Sequence, residues 1–390
     1  MSYIGKTPTP APLTSSDITD GIITTTKIAD ANVTNPKLTS GSQQNFRNII
    51  INGDMSIAQR GTSASSLTGN GYNTCDRWYS QISSTGTWTQ SQSTDVPTGQ
   101  GFATSYKWDC TTADASPAAG DSIIFQQRVE AQNLQYLKKG TANAESTTLS
   151  FWVKSNKTGT YITNLYDENN RDISKAYTIS SANTWEKKTL TFAGDTSGAF
   201  GNDNAVGLYV NFYLAAGSNS SSGTLGTTWS SYTAANTAVG QVNLADSTSN
   251  EWYVTGVQLE AGTTASDFEF LPVDVNLERC QRYYYVHAAG ASKNIGMIAY
   301  DRNTYIQSVV FFPTSMRTAP SMINTSGTNY YRIYVNNTSD FFDSFNVGIQ
   351  QPTTTSTGMD CNANISGTAG HAGRCLTNNA SSLLAFSSEL

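Results

Sequence analysis

Charge is scarce in this chain. Asp, Glu, Lys and Arg make up 13% of its 390 residues, and the formal balance is −6. A general nucleic-acid binder needs clustered Lys and Arg to neutralise phosphates, so that class is excluded. Histidine is scarcer still, with only His287 and His371. No Gly-x-Ser-x-Gly elbow and no Gly-x-x-x-x-Gly-Lys phosphate loop occurs. Long apolar runs are missing too. Nothing approaches the roughly 20 residues of a membrane-crossing helix, so no membrane insertion is expected. The opening residues, Met1 to Pro8, carry no apolar signal core. The five cysteines, Cys75, Cys110, Cys280, Cys361 and Cys375, are odd in number and widely spaced. They read as buried free thiols and not as a disulfide framework.

What is present instead is aromatic and small-polar. Seven Trp and twenty Tyr sit in a background of Ser, Thr, Asn and Gly. That mixture favours strands with polar outer faces joined by many turns. At 390 residues the chain has room for two or three domains.

The amino-terminal stretch has a distinct pattern. Leu13, Ile18, Ile23, Ile28, Val33 and Leu38 fall on a period of five, and Ile22 is the single Leu, Ile or Val off that grid. The run from Asp20 to Ile28 repeats, ten residues on, from Asp30 to Leu38. A period of five fits neither a helix at 3.6 nor a strand at 2.0. One chain alone has no face to bury with it. Three parallel chains round one axis could each turn one aliphatic inward per pentad. The expectation is a thin homotrimeric stalk with those six residues on its axis. The alternative is a flexible linker.

Beyond the polar joint at 40–45 the reading is mainly β. Leu149, Phe151 and Val153 alternate with outward positions, as do Leu208, Val210, Phe212 and Leu214, and Trp252 and Val254. These predict antiparallel strands with one face wet. A helix is expected from Gln127 to Lys139, ended by Gly140, and a connecting helix over 275–285. The fold class expected is therefore mainly β: an extended repeat stalk within 1–45, a jelly-roll β-sandwich over 46–274, and a smaller β domain over 286–390.

Several segments carry a resemblance. Asn48-Ile-Ile-Ile-Asn-Gly-Asp-Met-Ser-Ile-Ala-Gln-Arg60 and Tyr72-Asn-Thr-Cys-Asp-Arg-Trp78 resemble a signature of tail-fibre and virion structural proteins of tailed bacteriophages. Trp252 to Gly262, continuing through Phe268-Glu-Phe270 to Tyr284, is similar to the closing segment of the same proteins. The pentad repeat is like those of marine phage fibres. Leu149 to Ser155 and Thr184 to Lys188 resemble strands of jelly-roll carbohydrate-binding modules. The resemblance spans about 13–285 in segments and implies a virion fibre with a carbohydrate-binding-like fold. A fibre of that kind is made in the host cytoplasm without a signal peptide. Its amino-terminal stretch would dock on other virion proteins of the tail, and its outer part would meet a host glycan or receptor.

Candidate contact residues follow from sugar chemistry, in which aromatic faces cover C–H faces and amides match hydroxyls. Trp229 and Tyr232 lie in a Ser/Gly-rich loop, and Tyr330, Tyr331 and Tyr334 crowd the terminal domain, the expected distal tip. Core or subunit-interface roles are the alternative for each. Catalysis has thin support. Asp167, Glu168 and Asp172 are acidic neighbours in a turn, read as a solvated loop. Arg171 stands where a calcium loop wants an oxygen donor. Cys361, His371 and Cys375 match no zinc spacing. No catalytic residue, metal or cofactor is expected. An architectural virion protein without a receptor role, a head fibre or decoration, is the second reading, and an envelope polysaccharide depolymerase is the third.

Overall fold

The computed structural model describes residues 46–346 and 351–390, so the stalk-axis residues Leu13 to Leu38 lie outside the described residues. Residues 46–390 form one compact unit.

Its larger part is a two-sheet sandwich. In chain order the strands are β1 (Ser63–Leu67), β2 (Gly71–Tyr72), β3 (Trp78–Ser83), β4 (Thr87–Ser93), β5 (Ser105–Thr112), β6 (Ser122–Glu130), β7 (Thr147–Ser155), β8 (Gly159–Asp167), β9 (Arg171–Ile179), β10 (Glu186–Phe192), β11 (Val206–Ala216), β12 (Ser230–Ser231) and β13 (Glu251–Ala261). One sheet runs β1-β4-β5-β13-β7-β10, the other β12-β9-β8-β11-β6-β3-β2. All pairings are antiparallel.

Alternation decides what lies between the sheets. Leu149, Phe151, Val153, Leu208, Val210, Phe212, Leu214, Trp252 and Val254 are all buried in one core, as their spacing predicts. Phe125 is its hub. Its ring centroid lies 4.7 Å from Trp78, 4.5 Å from Tyr106 and 5.9 Å from both Trp108 and Trp252. Such packed rings gain from edge and stacking geometry beyond their buried area.

Two expectations need correction. The helix expected over 127–139 is strand up to Glu130, followed by a 3-10 turn, Ala131–Leu137. Pairing of Gln127, Arg128 and Val129 with β11 outweighs their helical spacing. Likewise β13 has no wet face, since Thr255, Gln258 and Glu260 on its far side are buried. The signature segment 48–60 covers them. Asn48 Nδ2 donates to Val257 O at 3.1 Å, and Val257 N donates to Gly53 O at 2.9 Å. A Cβ on Gly53 would fall 2.1 Å from that same Val257 carbonyl, which is why this approach takes glycine. Trp78 Nε1 donates to Asn52 O at 3.0 Å. The signature segment 48–60 and the closing segment around Val257, 209 positions from Asn48, thus close one side of the sandwich together.

The helix Val273–Gln281 leads into the smaller part. It starts and ends earlier than expected, because Tyr284 opens the next strand. Two sheets follow, of three and six strands, around a core of Ile298, Tyr300, Ile306, Tyr331, Phe342, Phe345, Met359 and Phe386. A third apolar cluster of Ile51, Ile57, Cys280 and Tyr283 joins the two parts. Ion pairs reinforce the joint. Arg282 Nη2 lies 2.7 Å from Glu130 Oε2, and Glu389 pairs with Arg77 and Arg60. Arg77 is fully buried and also stacks 3.4 Å over the Tyr283 ring. All five cysteines are buried and unpaired.

Candidate functional site

The inner side chains of the seven-stranded sheet leave their neighbours on its outer face. Those are Tyr79 on β3, Gln126 and Arg128 on β6, Tyr209, Asn211 and Tyr213 on β11, Ile162, Asn164 and Tyr166 on β8, and Asp172 and Ser174 on β9. Cross-strand register brings them into rows. Gln126 pairs with Asn211 and Asn211 with Asn164, while Arg128 pairs with Tyr209 and Tyr209 with Tyr166.

Half of this face is roofed. Ile124, Ile162 and Tyr213 are buried beneath Ala238 and Leu225 of the segment 217–242. That roof is hydrogen-bonded down: Gln241 Oε1 accepts from Ile162 N at 2.7 Å, and Ser174 Oγ donates to Thr237 O at 2.8 Å. The other half carries an aromatic strip. The Arg128 guanidinium lies 3.9 Å from the Tyr79 ring centroid and 5.7 Å from that of Tyr209. Tyr209 and Tyr166 are 5.5 Å apart, and Tyr166 and Tyr232 are 5.1 Å apart. From β3 to β8 the strip crosses three inter-strand spacings, roughly 14–15 Å.

Between roof and strip runs a polar row. Asn211 Nδ2 donates to Asn164 Oδ1 at 3.1 Å, and Asn164 Nδ2 donates to Asp172 Oδ2 and Ser174 Oγ, both at 3.0 Å. Asn211 Oδ1 is buried and has no partner. A buried acceptor left open costs about 1–3 kcal/mol. Burial raises the Asp172 carboxyl to about 6, with the Asp167 charge adding to the rise and the Asn164 hydrogen bond opposing it. Around pH 6 this carboxyl is therefore divided between its ionised and protonated forms.

The acidic turn is solvated at its tip, where Glu168, Asn169 and Asn170 are exposed, but not at its two ends. Asp167 and Asp172 are buried. Lys139 Nζ sits 2.8 Å from Asp167 Oδ2 and 3.2 Å from Asp195 Oδ2, and it donates to Ser197 O at 2.6 Å. Arg171 Nε donates to Asp195 Oδ2 at 2.7 Å. Burial opposes the Asp195 charge, but its hydrogen bonds from Arg171, Ser197 N and Lys139 hold it below the usual carboxylate range. The cations of this cluster are thus the Lys139 ammonium and the Arg171 guanidinium. Among the described residues no three metal-ligating side chains converge. Cys361 and Cys375 are buried, whereas His371 is exposed and bonded to Asn336 at 3.1 Å.

The contact candidates separate. Tyr232 joins the aromatic strip and is 39% exposed. Trp229 packs against the sandwich core, its Nε1 donating to Ala193 O at 2.7 Å. Tyr331 is corrected from contact residue to core residue. It is fully buried, stacked on Phe342 at 5.5 Å, and its hydroxyl donates to Thr325 O and Leu383 O. Tyr330 is half-buried beside the same core, and Tyr334 is exposed with its hydroxyl on Asn337. The three do not form one surface. Tyr79, Arg128, Tyr166, Tyr209, Asn164 and Asn211 escaped the sequence reading, and Asp172 was read only as a turn acid. A signal for them existed, because the outward positions between Leu208 and Leu214 are Tyr, Asn and Tyr, where a plain solvated face carries charge.

No protein-family model matches the chain, and no curated protein is significantly similar to it. Among solved structures, it is similar to the enzymatically active domain of tailspike protein 4 of bacteriophage CBA120. That likeness has 16% identity and a TM-score of 0.29 over 55% of this chain, and it spans only 21% of the tailspike chain. A family 11 carbohydrate-binding module from Clostridium thermocellum, solved with a mixed-linked tetrasaccharide, is similar at 11% identity and a TM-score of 0.26 over 52% of this chain and 98% of its own. A tandem pair of carbohydrate-binding modules from Paenibacillus barcinonensis Xyn10C is similar at 9% identity and a TM-score of 0.25, over 88% of this chain and 98% of its own.

Proposed function

We propose that this chain is a subunit of a tailed-phage virion fibre whose sandwich domain binds glycans on the host surface. One observation carries the binding reading: a strip of four tyrosines and one arginine runs beside a row of buried amides on a single sheet face. Tyrosine rings offer flat area at low entropic cost, and the amide row offers donors and acceptors to sugar hydroxyls. The virion placement rests on the phage-type signature segments, and the homotrimer on the pentad repeat. The amino-terminal stretch is proposed to dock on other virion proteins, after assembly in the host cytoplasm. Three copies per fibre would raise a weak single-site affinity by avidity.

The role is proposed to be binding without hydrolysis. Glycoside hydrolysis takes a pair of carboxylates converging on one bond; on this face Asp172 is bonded to Asn164, while Glu130, at the end of β6, is held by Arg282, Tyr283 and Gln132. We propose as well that residues 286–390 contribute a second contact at the outer end, with Tyr334 as its exposed candidate. The architectural reading draws on a specific observation. The last residues pair with buried Arg77, which suits a part that stiffens the fibre.

Titration of the full chain with neutral oligosaccharides tests the proposal. Tyr166→Ala and Asn211→Ala should each weaken binding about fivefold to thirtyfold, with the unfolding midpoint changed little by the first. Host-derived polysaccharide that binds the parent and both variants equally would sink the sheet-face assignment.

A further inference from the structure

A second cleft, of about 570 Å³, opens beside the start of the described residues. It shares only Arg128 with the aromatic strip. Its walls come from the segment 46–51, the 3-10 turn after β6 and the helix Val273–Gln281, elements brought together only by the fold. Phe46 and Tyr136 are 65% and 48% exposed on it, unusual for rings so large. Gln132 and Asn133 stand beside them.

The charge on this cleft is unbalanced. Arg282 is matched by Glu130, whose oxygens are fully taken up by Arg282, Tyr283 and Gln132. Glu269 spends its two oxygens on the backbone amides of Phe46 and Asn48. Arg279 is left over. Its one polar contact among the described residues is a 3.4 Å approach of Nη2 to Asn48 O. Burial holds the guanidinium below its usual range, and the nearby charge of Glu269, which makes no direct ion pair with it, offsets only part of the loss of water. A half-buried guanidinium with donors to spare is a receptor for a planar anion, because its fork matches a carboxylate with two parallel hydrogen bonds.

We infer that this cleft binds a carboxylate-bearing sugar of the hexuronic acid class, with Arg279 on the carboxylate, Tyr136 and Phe46 against the ring, and Asn133 on its hydroxyls. The volume falls in the range of small-ligand sites and far exceeds a lone inorganic anion, to which the two rings would add nothing. The inference does not depend on the sheet-face reading. It gives the protein a separate means of telling acidic surface polysaccharide from neutral.

The test uses the full chain and ligand-observed NMR titration, with D-glucuronate, D-glucose and inorganic phosphate as probes. Glucuronate should bind at least about tenfold more tightly than glucose. Arg279→Gln should abolish that preference while leaving the unfolding midpoint and any neutral-oligosaccharide binding unchanged. Tyr136→Ala should weaken glucuronate severalfold. Equal binding of glucuronate and glucose overturns the inference. So does a preference that survives Arg279→Gln, competition by phosphate as strong as by glucuronate, or no binding at all, as expected if a neighbouring copy fills the cleft. Failure of the sheet-face reading would look different: Tyr166→Ala would be silent while the Arg279→Gln effect persisted.

Discussion

Lys139→Met removes the one ammonium that faces two buried carboxylates. The side chains of Lys139, Asp167 and Asp195 are 3%, 0% and 3% exposed, so water screens this cluster little. Asp195 would keep Arg171, but Asp167 would retain only the backbone amides of Asn169 and Arg171, at 2.8 and 3.0 Å. Breaking a buried ion pair from one side costs about 3–5 kcal/mol, most of it the stranded charge. Methionine fills similar volume, so little cavity cost is added. The expected result is a urea midpoint lower by on the order of 1–2 M and a melting temperature lower by on the order of 10 °C. Tryptophan fluorescence reports it, since Trp78, Trp88, Trp108 and Trp252 are all buried in the affected sandwich. Adding Asp167→Asn to Lys139→Met should restore more than half the loss, because an amide carries no charge to strand. A single variant within about 1 kcal/mol of the parent would refute the reasoning and mean that water reaches Asp167.

Burial raises Asp76 and Asp172 to about 6, so the folded chain takes up those protons at higher pH than the unfolded chain does, and stability should rise as pH falls from 7.5 to 5. Glu130 and Asp195 are held low by their partners, so stability should turn down again below about pH 4; urea titrations across that range show both limbs. Asp172→Asn should flatten any pH dependence of glycan affinity centred near 6. Glu389→Ala strands buried Arg77 and should cost roughly 3–5 kcal/mol, with faster proteolysis after Leu271 as its signature. The full chain should scatter light as a trimer, and Ile23→Asp with Ile28→Asp should lower that mass while the sandwich keeps its fluorescence; a monomeric parent at micromolar concentration ends the stalk reading.

Period-two patterns were legible because a strand with one buried face writes its burial directly into the chain. Leu149, Phe151 and Val153, and Leu208 through Leu214, needed no neighbour to be placed in the core. Gln127 to Lys139 misled because helical spacing and strand spacing share positions over so short a run, and β11 supplied the deciding ladder. Tyr331 misled because aromatic content says nothing about facing: Tyr330 and Tyr331 are consecutive, yet one is half-buried and the other sealed.

Composition and periodicity alone therefore determined the β class, the core strands, the unpaired thiols and the pentad grid, since each depends on the order of residues along one chain. Which side chains meet across strands depends on register and topology, and those are properties of pairings between distant segments. Asn164 and Asn211 are 47 positions apart and hydrogen-bonded, and Arg279 looks onto a cleft walled by Phe46 and Tyr136. Whether a carboxyl such as Asp167 is solvated or locked to an ammonium was likewise settled only in three dimensions, where burial sets the dielectric in which its charge must find a partner.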